Sequence, residues 1–143
     1  MKTWSIVALA LLLPACTATP PGLQVDQLET ERYLITERRR LPIDFPEVQK
    51  NLFKHERVCG VRYIFEMLPN ESAFARVVYR PEADSGWEDA VVLSLVRLHN
   101  TTINVYAYSY YPGQGERALE MITAFMKPES CQADRSWENT LDD

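Results

Sequence analysis

The sequence contains little of what metal centres and nucleotide sites are built from. It has three cysteines, two histidines and five glycines in 143 residues. A zinc site needs three or four ligands, and His55 and His99, which we expect to be surface residues, have no ligand-type spacing to each other or to the cysteines. A glycine-rich phosphate loop is also absent, because Gly113-Gln114-Gly115 lacks the rest of any nucleotide fingerprint. We therefore expect no catalytic residues, no metal and no cofactor.

Positive charge is scarce as well. Fifteen lysines and arginines face 20 aspartates and glutamates, which gives a formal net charge of -5. An acidic chain repels polyphosphate backbones, so nucleic acid is not expected as a partner. The one basic run, Arg38-Arg39-Arg40, follows several glutamates, and we interpret it as a solvated patch. A hydrophobic content of 46% suffices for one core in one domain.

A single long apolar run is present, and it stands at the start of the chain. Lys2 provides a positive charge, and Trp4 to Leu13 are ten apolar or small residues in a row. Ten residues match the core of a signal peptide and are only about half of what a bilayer-spanning helix needs. Residues 1–15 are therefore predicted to be a removable export signal. Since no later apolar run approaches the length of a bilayer-spanning helix, no transmembrane helix is expected after them.

The residues that end this run, Leu13-Pro14-Ala15-Cys16, resemble the lipobox of bacterial lipoproteins. The resemblance covers only the signal and its boundary. It implies a diacylglyceryl group on the Cys16 thiol, cleavage before Cys16 and acylation of the new amino terminus by a fatty acid such as palmitate. Thr17 stands where an aspartate would signal inner-membrane retention in enteric bacteria, so the outer membrane is expected. The alternative is ordinary secretory cleavage after Ala18, which gives a soluble secreted form.

Two cysteines remain once Cys16 is assigned to the anchor. An even number in an oxidising compartment such as the periplasm predicts one intramolecular disulfide, between Cys59 and Cys131. It would close a loop of about 70 residues and stabilise the fold by about 4 kcal/mol in the chain-entropy model. Two free thiols or a metal site are the alternatives.

Hydrophobic periodicity predicts a single α+β domain. Asp44 is a helix N-cap, Pro46 suits the first turn, and Phe45, Val48 and Leu52 form an apolar stripe with Phe53 beside it, in a helix ending near Gly60. Four strand-like runs follow, and the last helix covers Glu116 to Met126. Residues 29–40 stay open between a short strand and a helix. The expected units are a tether at 16–28, the domain at 29–131 and an acidic flexible tail at 132–143.

The order helix, four strands, helix favours a two-layer sandwich, in which a four-stranded antiparallel meander carries both helices on one face. Along the last strand Tyr106, Tyr108 and Tyr110 alternate, so they share one side of the sheet. With the helices on the other side, the rings would offer a binding face for proteins or sugars. Alternatively they shield the open face, or they are the core face of an inverted sheet.

These features favour a non-enzymatic binding or structural accessory, which the lipid holds at the membrane in the periplasm or at the cell surface. Its expected partners are the membrane itself and envelope proteins or glycans. The second hypothesis is a small ligand-binding or inhibitor domain that uses the tyrosine face or the loop at residues 81–89. An enzyme of unrecognised type is the third.

Overall fold

The computed structural model describes residues 22–36, 38–99 and 101–138. The predicted signal, Cys16 and residues 139–143 lie outside the described residues. Within them the chain has the predicted α+β class, with three helices and five strands. The helices are α1 (Val25–Leu28), α2 (Phe45–Cys59) and α3 (Gly115–Met126), and the strands are β1 (Arg39–Leu41), β2 (Ile64–Met67), β3 (Phe74–Tyr79), β4 (Val91–Arg97) and β5 (Ile103–Ser109).

All five strands form one antiparallel sheet in the order β1-β5-β4-β3-β2. The predicted meander of β2 to β5 is confirmed, but the count of four strands is wrong. The additional strand, β1, comes from the stretch that the sequence left open, and it adds to the edge beside β5. Arg39 pairs with Val105, Arg40 with Asn104 and Leu41 with Ile103. Two arginines thus take part in an edge strand, which an arginine run does not predict.

Helix α2 begins and ends where the capping residues predict. The side chain of Asp44 accepts a hydrogen bond from the Glu47 amide at 2.9 Å, and Gly60 ends the helix with φ 72°, a left-handed conformation that glycine adopts without a steric cost. The buried residues of α2 are Phe45, Val48, Leu52 and His55. Phe53 lies beside this stripe, as predicted, and 60% of its surface is exposed.

The main core lies between one face of the sheet and the pair of helices α2 and α3. Alternate residues of the central strands point into it, among them Val77, Leu93 and Ala107, which are paired across β3, β4 and β5. From α3 the buried residues are Ala118, Leu119, Met121, Ile122, Thr123, Ala124 and Phe125. The predicted placement of both helices on one face is therefore what the packing shows.

The N-terminal segment (residues 22–36) crosses the opposite face of the sheet as far as Tyr33 and then runs along the edge of the sheet beside β5. Leu28 is fully buried, in a second apolar cluster with Val78 and Val92. Further along, the Ile35 amide donates to the Ala107 carbonyl at 2.9 Å. Residues 22–28 are thus part of the folded domain, and the predicted tether does not reach to residue 28.

The folded domain also extends beyond residue 131, its predicted C-terminal end. Trp137 is 3% exposed and belongs to the main core. The Asp134 amide donates to the Thr123 hydroxyl at 3.1 Å, which fixes this segment against α3. Residues 132–138 are therefore packed, and the prediction of a flexible tail beginning at 132 is wrong. Of the helices described here, none is both long and apolar enough to cross a membrane.

Candidate functional site

A carboxylate from the N-terminal segment is bound at the middle of the open sheet face. Arg76 and Ser94 are cross-strand neighbours on this face, and both donate to Glu29. Arg76 does so through Nε at 3.1 Å and Nη2 at 2.6 Å, and Ser94 through its hydroxyl at 2.6 Å. The arginine and glutamate side chains are only 12% and 18% exposed. A bidentate, largely desolvated pair of this kind fixes the segment in one position on the sheet.

The three predicted tyrosines lie on the open face, yet they are not equally accessible. Tyr108 packs in the second apolar cluster beneath the N-terminal segment, and burial raises the pKa of its hydroxyl. Tyr106 is partly buried and opposite Ser94 in the register. Tyr110 is 43% exposed. Tyr108 therefore shields the open face, which was one of the alternatives. For Tyr110 a binding face is still a prediction.

The exposed rings form a cluster that the sequence did not show. The rings of Tyr110 and Tyr111 meet edge to face at 5.1 Å, and Tyr33 lies 5.5 Å from Tyr110. Tyr33 belongs to the N-terminal segment, so strand alternation could not reveal it. We call Tyr33, Tyr110 and Tyr111 the tyrosine cluster. Tyr111 is 49% exposed, and the cluster offers stacking surface with hydroxyl groups at its rim.

The two histidines lie in different surroundings. We expected both at the surface, and this is wrong for His55, which is 3% exposed. Its Nδ1 lies 3.2 Å from the Pro128 carbonyl oxygen, and its ring stacks on Tyr63 at 5.8 Å. Burial lowers the pKa of His55, although the bond to Pro128 acts in the opposite direction. His99 is exposed, as expected.

The predicted disulfide joins Cys59 to Cys131, with the Cα atoms 5.3 Å apart. It ties the end of α2 to the segment that follows α3. The same pair of segments is joined by the ion pair of Lys54 with Glu129 at 2.6 Å. Among the described residues, no group of three or more histidines, cysteines, aspartates and glutamates is placed to hold a metal ion.

A groove of about 470 Å³ opens where β1, α3 and the C-terminal segment meet. We call it the arginine groove, because three arginines line it. Its lining residues are Ile35, Thr36, Arg38, Arg39, Gly115, Leu119, Ile122 and Arg135. The sequence interpretation of Arg38-Arg39-Arg40 as a solvated patch is wrong for Arg39, which lies partly buried, its guanidinium carbon 5.6 Å from the centre of the Trp137 ring.

Comparison with known proteins adds no relative. No protein-family model matches the sequence, and no curated protein is significantly similar to it. The candidate sites are therefore argued from their own geometry.

Proposed function

We propose that this chain is a bacterial lipoprotein that is anchored through lipid on Cys16 and acts as a non-enzymatic binding or structural accessory of the cell envelope. The observation that carries the proposal is Leu13-Pro14-Ala15-Cys16 at the end of a ten-residue apolar run. Two or more fatty chains make a stable anchor, whereas one chain binds a membrane only reversibly.

The position of the folded domain supports a role close to the membrane. Leu23 already bonds to the domain, since its amide donates to the Glu88 carboxylate at 3.2 Å. Between Cys16 and Gly22 a fully extended chain spans at most about 20 Å. The 3-10 turn Trp87–Asp89, which contains Glu88, would then stay within about 20 Å of the anchored cysteine, and a partner would be met close to the membrane surface.

The non-enzymatic part of the proposal is supported by what the polar side chains do. His55 is held by a backbone carbonyl and stacked on Tyr63. Glu29 is fully engaged by Arg76 and Ser94. These buried polar groups serve packing, which leaves them unsuited to acid–base work on a substrate.

Lipidation is tested by expressing the whole chain in bacteria fed an alkyne analogue of palmitate. We expect the label on the wild type and on C59A/C131A, a matched control that retains Cys16, and its loss in C16A. Intact-mass measurement should place the amino terminus at Cys16 with three acyl chains. An unlabelled protein that begins at Thr19 would instead establish secretory cleavage after Ala18 and refute the anchor.

Sorting and partners are tested in the same cells. We expect the wild type in the outer-membrane fraction, and T17D in the inner-membrane fraction of an enteric host. Cross-linking in intact cells, followed by detergent extraction and mass spectrometry, should recover a reproducible envelope protein. Recovery of the protein alone, with the lipid confirmed, would count against the accessory role.

The tyrosine cluster favours glycan binding as a second candidate function. Tyr110 and Tyr111 are exposed and held against each other, which is the kind of surface on which sugar rings stack. In an NMR titration with cell-wall fragments, shifts confined to Tyr33, Tyr110 and Tyr111 would support it. Unchanged spectra would remove it.

A further inference from the structure

The arginine groove concentrates positive charge on a protein whose net charge is negative. Arg38 and Arg39 come from the approach to β1 and from β1 itself, and Arg135 comes from the segment after α3. The fold thus brings together cations that are almost 100 residues apart in the sequence. Three guanidinium groups in one concave site repel each other unless an anion lies between them.

One carboxylate already meets two of these arginines. Glu138 forms an ion pair with Arg39, and its same oxygen lies 3.7 Å from Nη1 of Arg135. Within the described part of the chain, Arg38 forms no ion pair. Asp134, beside Arg135, bonds to Lys127 at 3.1 Å instead. Among the described residues, three arginines and one carboxylate leave two positive charges at the groove.

The remaining lining residues are Ile35, Thr36, Gly115, Leu119 and Ile122. Leu119 and Ile122 of α3 are 5% and 1% exposed, and Ile35 packs against the same core. A volume of about 470 Å³ is toward the lower end of the range for small-molecule sites. A matching ligand is therefore small, with an anionic head for the arginines and a short aliphatic part that packs on the partly buried Ile35, above a floor of Leu119 and Ile122.

We propose that the arginine groove binds a phosphate monoester that carries a short aliphatic group. A phosphate monoester is close to a dianion at neutral pH, which matches the two uncompensated charges. Guanidinium groups also bind phosphate oxygens through paired N–H donors. The phosphate can belong to a soluble metabolite or to a lipid headgroup, and the test below separates these sources. The site does not depend on lipidation of Cys16.

Trp137 provides a reporter, because it lies against Arg39 at the groove. In W4F/W87F it is the sole tryptophan of the three in the sequence. Hexyl phosphate should change its fluorescence in a saturable manner and should bind more tightly than inorganic phosphate, which lacks the aliphatic part, or hexanoate, which has a single charge. Equal affinity for hexanoate and hexyl phosphate would overturn the preference for phosphate.

Substitutions locate the site. R38Q removes the arginine that pairs with none of the described carboxylates and should weaken hexyl phosphate binding by about fivefold. R38Q/R135Q should weaken it by more than about tenfold. R40Q is the matched control, because Arg40 is exposed, alternates with Arg39 along β1 and does not line the groove. Its affinity should stay within about twofold of the parent. Thermal unfolding of each variant verifies that it is folded.

The source of the phosphate is distinguished with vesicles of phosphatidylcholine that contain phosphatidic acid. If hexyl phosphate binds and the vesicles bind through Arg38 as well, the ligand class includes lipid headgroups. If hexyl phosphate alone binds, the ligand is soluble. No saturable response to hexyl phosphate at about 10 mM, which corresponds to less than about 3 kcal/mol, would overturn the proposal. An equal loss of affinity in R40Q and R38Q would overturn it too.

Discussion

Breaking the disulfide between Cys59 and Cys131 is expected to lower the free energy of unfolding by about 4 kcal/mol. The two cysteines are 72 residues apart, and closing a loop of that length removes about 15 cal/mol/K of entropy from the unfolded chain. A folded unit of about 120 residues unfolds with an entropy near 0.25 kcal/mol/K, so the melting temperature should fall by about 15 °C.

This magnitude assumes that the native structure persists without the bond, and the contacts nearby support that. Asn51 donates to the Phe125 carbonyl at 2.8 Å, and Lys54 pairs with Glu129. His55 also reaches the Pro128 carbonyl. All three join α2 to α3 or to the residues directly after it, so the two segments stay together when the disulfide is broken. The effect then lies mainly in the unfolded chain.

The assay is thermal unfolding followed by circular dichroism, for the oxidised protein, the protein reduced with a phosphine and C59A/C131A. The reduced protein and the double variant should melt at similar temperatures, and their amide NMR spectra should match the oxidised spectrum away from the two cysteines. A decrease of less than about 3 °C, or a collapsed NMR spectrum after reduction, would refute the loop-entropy reasoning.

Three further predictions concern single side chains. D44A removes the N-cap of α2 and should lower the free energy of unfolding in urea by about 1 kcal/mol. The control D84A, in the loop before β4, should leave it unchanged, and equal losses in both variants would contradict the role of the cap. E29Q should lower the free energy of unfolding by about 2 kcal/mol, because Arg76 loses its nearer charged partner in a largely buried site and keeps only the exposed Asp26 at 3.8 Å. Hydrogen exchange should accelerate in residues 22–36, and the exposed E31Q should change neither quantity. His55 has a lowered pKa in the fold, so the unfolded chain takes up the proton first. The contribution of His55 to the free energy of unfolding is therefore complete above its ordinary pKa of 6.5 and is lost as the pH falls below that value. H55Q should reduce this pH dependence of the unfolding free energy, and H99Q should leave it unchanged.

The sequence predicted those elements whose signals are local. Asp44 and Gly60 mark both ends of α2 by their own backbone and side-chain chemistry, and Gly60 has the expected positive φ. The alternation of Val105 and Ala107 with Tyr106 and Tyr108 separated the two faces of β5, and it left open which face is buried. The disulfide followed from counting cysteines and from the expectation of an oxidising compartment, and neither step needs knowledge of the fold.

What the sequence missed depends on contacts between distant residues. Arg39 belongs to a strand because its backbone pairs with Val105 of β5. The intrinsic propensity of an arginine run does not predict a strand. Trp137 is buried although the residues around it are acidic, since α3 and Arg39 provide its surroundings. Glu29 likewise holds the N-terminal segment on the sheet only because it binds Arg76, which lies 47 residues later in the sequence.

His55 is a different kind of error, because its signal was available. Phe45, Val48, Leu52 and His55 follow one another at spacings of three and four, so His55 continues the stripe that the sequence already showed. The residue type, which is usually polar and exposed, was given more weight than its position. The arginine groove could not have been found in this way, since Arg135 meets Arg38 and Arg39 only after the chain has folded.

The attachment of residues 22–36 to the open face determines how the domain responds to mechanical load. A pull on Gly22 acts on the end of a segment that lies flat on the sheet, so its contacts are stretched one after another, as in peeling. The α2–α3 layer lies on the other side and is closed by a covalent bond. Peeling would therefore uncover Leu28 and Tyr108 while the main core stays intact, and tension along the chain would be converted into a newly exposed apolar surface.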